Sequence, residues 1–110
     1  MVERLGVAEK EIAGIFQNLK KRWKNETAHL SSMAEIINNP NYRAVIAMDT
    51  YALPYLFDEL QNDPDHWFAA LPEITGENPV NEEDAGNLTK MTNSWLDWGR
   101  EKGFVESKAN

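Results

Sequence analysis

The residues best equipped for chemistry are the two histidines, His29 and His66, and the second stands among carboxylates in Asp63-Pro64-Asp65-His66-Trp67-Phe68. An imidazole beside a carboxylate can carry a proton near neutral pH, and with further carboxylates it can hold a metal ion. A metal site would need His29 and His66 to meet, aided by Asp63, Asp65 or Glu26, and their spacing matches no HExxH-type motif. Adjacent residues at a helix start diverge, which makes Asp65 and His66 a poor acid–base pair. No serine or threonine nucleophile is placed by motif either. The chain has no cysteine, hence no thiolate ligand, cysteine nucleophile or disulfide. Its six glycines are scattered and form no phosphate-binding loop. The expectation is therefore no catalytic residue, no cofactor and no metal. The competing reading, a small metal-dependent enzyme or hydrolase centred on His66, would be separated from it by metal analysis of the wild type and His66→Ala.

Charge is the more informative feature. The net charge of −7 is unevenly spread. Between Arg43 and Lys90 there are ten carboxylates and not one lysine or arginine. The densest basic cluster, Lys20, Lys21, Arg22 and Lys24, lies toward the C-terminal end of an expected helix, where the backbone dipole favours positive charge. Such a field repels nucleic acid and attracts basic surfaces. Direct nucleic-acid binding is not expected; a partner protein with a basic surface is. The candidate partner-binding residues are Asp58, Glu59, Asp63, Asp65, Glu82 and Glu83, read as exposed, together with Trp98. Trp98 suits two roles, an interface anchor or a ring closing the core against Phe104. A sharper form of this reading has the acidic segment imitate nucleic acid and so inhibit a nucleic-acid-binding protein.

The elements that must position these residues read as all-α, with no period-two alternation. At 110 residues, 42% apolar and 26% charged, the chain is expected to form one globular domain, 1–110, of five or six short helices. Residues 1–7 and 106–110 are expected to fray. No apolar run suggests a signal peptide or a membrane span, so a cytoplasmic location is the expectation.

Ile12, Ile15, Phe16, Leu19 and Trp23 form one stripe of a helix over 8–25. Ser32 and Glu35 have capping-box spacing ahead of a short helix burying Met33, Ile36 and Ile37, which stops before Pro40. Asn41 opens a helix with Tyr42, Val45 and Ile46 on its apolar side. Thr50 is the expected cap of the next helix, with Pro54 in its first turn and Leu53, Leu56, Phe57 and Leu60 on its core stripe. After the Asp-Pro-Asp turn, Trp67, Ala70, Leu71 and Ile74 form another stripe. Pro72 predicts a kink and Gly76 a stop. Asn81 is the expected cap of the last helix, with Glu82, Glu83 and Asp84 in its first turn. Leu88, Met91, Thr92, Trp95 and Leu96 form its buried stripe, and Gly103 ends it. Trp23, Leu56, Leu60, Trp67, Leu71 and Trp95 are expected to share one core.

Residues 41–76 resemble a HEAT-like helical unit. The matching pieces are Tyr42 to Met48, Ala52-Leu53-Pro54 with Leu56 and Leu60, and Asp63-Pro64-Asp65, followed by Trp67, Ala70, Leu71 and Gly76. The resemblance implies HEAT-like helix packing and a protein-binding role, over little more than one repeat, and Pro72 departs from it. The wider chain is similar to a group of small bacterial all-helical proteins of no assigned function. The shared pattern is His66-Trp67-Phe68, Ile74-Thr75-Gly76 and Asn78-Pro79. This likeness implies a bacterial origin and is compatible with a mobile-element setting. It implies no activity.

Overall fold

The computed structural model describes residues 2–106 apart from Asp63 and Asp65, with side chains from Glu9 onward. Every regular element among the described residues is helical, as the periodicity requires. There are six α-helices: α1 (Val2–Thr27), α2 (Met33–Ile37), α3 (Pro40–Ala47), α4 (Leu53–Asn62), α5 (Ala70–Thr75) and α6 (Leu88–Lys102). Short 3₁₀ turns lie at Asp49–Ala52, His66–Phe68 and Glu82–Asp84. The chain divides into two compact units, Met1–Ala52 and Leu53–Asn110. The boundary falls between the two helices of the expected HEAT-like unit.

In the first unit, α1 packs against α3. The helix begins at Val2 rather than at residue 8. Its buried seam is narrower than the stripe in the sequence. Phe16, Trp23 and Thr27 are buried, while Ile15 is 51% exposed. A neighbour on one side covers the centre of a helical stripe, and Ile15, a hundred degrees round from Phe16, falls beyond that cover. Trp23 is the main tie of this unit. Its indole Nε1 donates to the Ile36 carbonyl at 2.9 Å and its ring lies 5.2 Å from that of Tyr42. The Thr27 hydroxyl donates back to the Trp23 carbonyl at 2.7 Å.

The caps in this unit depart from expectation in detail. Ser32 does cap α2, accepting from the Glu35 amide at 3.4 Å, but Met33 is 50% exposed and only Ile36 is buried. The next helix starts one residue earlier than Asn41. Asn39 caps it, accepting from the Asn41 amide at 2.9 Å, and Pro40 takes the first helical position. Proline there loses no bond, because its missing amide would be an orphan anyway. Asp49 turns the chain out of α3 with φ of 58°, a left-handed conformation that aspartate tolerates better than most residues.

In the second unit, α4 packs against α6. Leu53, Leu56, Phe57 and Leu60 are buried as the stripe predicts. Trp67, Ala70 and Leu71 are also fully buried, each 0% exposed. They do not share one helix, however. The chain makes a 3₁₀ turn at His66–Phe68, breaks at Ala69 and starts again as α5. This break removes the kink expected at Pro72, which becomes the third residue of a new helix, where a missing amide costs little. Gly76 ends α5 with φ of 73°, its amide reaching the Pro72 carbonyl at 2.8 Å.

Two expectations about α6 are corrected. Glu82, Glu83 and Asp84 form a separate 3₁₀ turn rather than its first turn. The cap is Asn87, which accepts from the Lys90 amide at 3.0 Å, and Asn81 makes no side-chain cap. The buried seam is Thr92, Trp95, Trp98 and Gly99, while Leu88 is 51% exposed and Met91 and Leu96 are half-buried. Past Gly103 the chain folds back, with the Phe104 amide on the Gly99 carbonyl at 2.8 Å and Val105 buried.

Candidate interaction surfaces

Among the described residues, no three His, Asp or Glu side chains are grouped as a metal ion would require. His66 is half-buried on the 3₁₀ turn beside the fully buried Trp67, while His29 is exposed at the end of α1. Asp63 and Asp65, expected as exposed members of the acidic partner-binding surface, lie outside the described residues. No described helix is long and apolar enough to cross a membrane.

The expected acidic set is only partly on the surface. Asp58, Glu82 and Glu83 are exposed. Glu59 is not: it is 9% exposed, a correction to its reading as a surface carboxylate. The cause is the breadth of the covered face of α4, which takes in Glu59 along with Leu56, Phe57 and Leu60. Trp98 is likewise buried rather than open at an edge, and its role as a ring closing the core is the one the geometry supports. It stacks on Phe57 at 5.9 Å and on Phe104 at 6.2 Å, and meets Trp95 edge-on at 5.5 Å. Its indole N–H donates to the Glu77 carboxylate at 3.3 Å. Lys102 lies 5.9 Å from its ring centroid. A tryptophan so held fastens the 77 loop and the chain end to α6, and is spoken for as an anchor.

Sequence position and unit together reveal how the charge is organised. Leu53–Asn110 carries twelve Asp and Glu against four Lys and Arg, whereas Met1–Ala52 carries six against seven. The acidity of this protein belongs to one unit. Within it, Lys90 meets Asp84 at 3.7 Å and Arg100 meets Asp97 at 2.7 Å. Neither a family model, a curated protein nor a solved structure matches this chain.

Two concave surfaces accompany these charges, and the sequence stripes did not expose either. One, in the first unit, is an apolar hollow of about 230 Å³ formed by Ile12, Ile15, Met48 and Tyr51. Its most open member, Tyr51, is 67% exposed. The other is a groove of about 290 Å³ in the second unit, between Leu60 and Gln61 of α4 and Leu88, Thr92, Asn93 and Leu96 of α6. Thr92 is 9% exposed and its hydroxyl is buried without a hydrogen-bond partner. A buried hydroxyl with no partner costs roughly 1–3 kcal/mol of lost hydration. Thr92→Val, which keeps the shape and removes the hydroxyl, should therefore raise stability by about 1 kcal/mol in urea unfolding. A loss of stability would mean that the hydroxyl is satisfied.

Proposed function

We propose that this protein is a non-catalytic interaction module that binds another protein through the acidic surface of its Leu53–Asn110 unit, meeting a basic surface on the partner. The observation that carries this reading is the confinement of the charge excess to one unit, with Asp58, Glu82 and Glu83 exposed in it. Solvated carboxylates retain their charge at little folding cost, and a field of one sign accelerates and selects encounter with the opposite sign. A partner that ordinarily binds nucleic acid carries such a basic surface, and an acidic unit covering it acts as a competitor. The HEAT-like likeness of residues 41–76 agrees with an interaction role.

The test is a triple reversal, Asp58→Lys, Glu82→Lys and Glu83→Lys. Substitutions at such exposed sites usually move stability by about 0.5 kcal/mol each or less, so helicity and melting should stay near the wild type. Binding to a partner retrieved at low salt should be lost in the variant and weakened in the wild type by high salt. Unchanged affinity in the reversed variant would show that the acidity serves solubility alone.

A further inference from the structure

The acidic unit carries more than charge, because the groove between α4 and α6 adds shape and hydrogen-bonding groups to it. Its apolar walls include Leu60, Leu88 and Leu96, and its polar members include Gln61, Thr92 and Asn93. At about 290 Å³ it falls just below the range of drug-sized ligand pockets, which suits one or two side chains of a larger partner. Three observations point to an occupant. Leu88, at the mouth, leaves half of its surface in water. The hydroxyl of Thr92, a residue nine-tenths buried in the groove lining, has no partner. The Gln61 amide nitrogen donates to the Phe57 carbonyl at 3.3 Å, while the Asn93 carboxamide stands exposed.

The charges around the groove say which occupant. Asp58 stands one turn before Gln61 on α4 and is exposed. On α6, Asp97 lies one turn beyond Asn93 and is already met by Arg100 at 2.7 Å. Lys90 falls off the face formed by Leu88, Thr92 and Leu96 and reaches Asp84. The groove is thus set in a unit with twelve carboxylates and four basic residues.

We infer that this groove docks a cationic amphipathic segment of the partner protein, one apolar side chain seated on Leu60, Leu88 and Leu96 and its lysines or arginines in the surrounding acidic field. This inference rests on the interaction reading above and names the chemistry of that partner. Gln61 and Asn93 hydrogen-bond polar atoms of the docked segment, fixing its register, while the apolar contact selects segments that carry a side chain of the right size.

The experiment uses the isotopically labelled full chain and three short synthetic peptides with one helical repeat. One is built of lysine and leucine, one of lysine and serine, and one of glutamate and leucine. The lysine–leucine peptide should shift the amide signals of Gln61, Thr92 and Asn93 and bind about tenfold more tightly than the lysine–serine peptide, the effect of burying one leucine. Leu88→Ser, at an exposed position, should remove most of that advantage without lowering the melting temperature. Equal affinity for the two lysine peptides would overturn the groove and leave the charge reading standing. Equal affinity for the lysine–leucine and glutamate–leucine peptides would overturn the cationic occupant, and with it the charge reading. Shifts confined to the hollow around Ile12 and Ile15 would overturn the assignment to this groove.

Discussion

Trp67→Ala should destabilise the protein by about 3–5 kcal/mol, the range for removing a fully buried aromatic ring. Trp67 is 0% exposed, as are Ala70 and Leu71 one turn on, and the 3₁₀ turn that carries it packs against α5. The indole is the only large side chain this three-residue turn puts into the core, with His66 and Phe68 half-buried beside it. Deleting it leaves a void that a turn braced by a helix cannot close, so lost contacts add to lost burial. Since whole domains are stable by roughly 5–15 kcal/mol, this one change should consume a large share of the total. His66→Ala, at the adjacent half-buried position, should cost far less. Urea unfolding of both variants measures the contrast. If His66→Ala were the more damaging, the site reading at His66 would be revived, and a stoichiometric metal ion lost in that variant would favour the His66-centred enzyme over the interaction module.

The second large effect concerns one substitution made at two glycines, with opposite signs expected. A Cβ built on Gly99 would lie 2.8 Å from the Val105 Cγ2 and 2.9 Å from the Phe57 Cε1, closer than real carbon contacts allow. The ring cannot simply swing aside. Phe57 is stacked against Trp98 and Phe104, at 5.9 and 5.6 Å between centroids, and Trp98 is itself tied to Glu77. Gly99→Ala should therefore cost about 1–3 kcal/mol through overpacking, even after the gain in helix propensity. Gly99→Val, with two further carbons in the same space, should cost more and loosen the fold-back of Phe104 and Val105. Gly14, in the exposed part of α1, has nothing within 4 Å of its built Cβ. There the same change to alanine should stabilise by about 0.5–1 kcal/mol, because only helix propensity is altered. Thermal unfolding of the two alanine variants compares them directly. A stabilised Gly99→Ala would mean that the aromatic stack yields, and that Trp98 is held less tightly than its geometry indicates.

What the sequence determined by itself was the helical class and the identity of most buried side chains. Apolar residues three and four apart select helix over strand, and this placed Trp23, Tyr42, Val45, Leu56, Leu60, Trp67, Leu71 and Trp95 inside, where they are found. Glycine in the left-handed region at Gly76 and Gly103 followed from chemistry that no other residue supplies as cheaply. The charge excess of residues 53–110 also needed no structure, although the boundary that makes it the property of one unit did.

What only the tertiary structure decided was which side of each stripe is covered. On α6 the sequence offered Leu88, Met91, Thr92, Trp95 and Leu96 as one buried stripe, with Trp98 at its edge. The missing side chain at Gly99 lets Phe57 and Val105 approach the helix there, and this draws Trp98 in and leaves Leu88 out. By the same logic Glu59 is buried and Ile15 exposed, against their individual hydropathies. A helix has a period but no knowledge of its neighbours, and burial at the margin of a stripe depends on where those neighbours come to lie. The groove between α4 and α6 arises at just such a margin. Its leucines were legible as core, and only the packing of the two helices turned them into an opening.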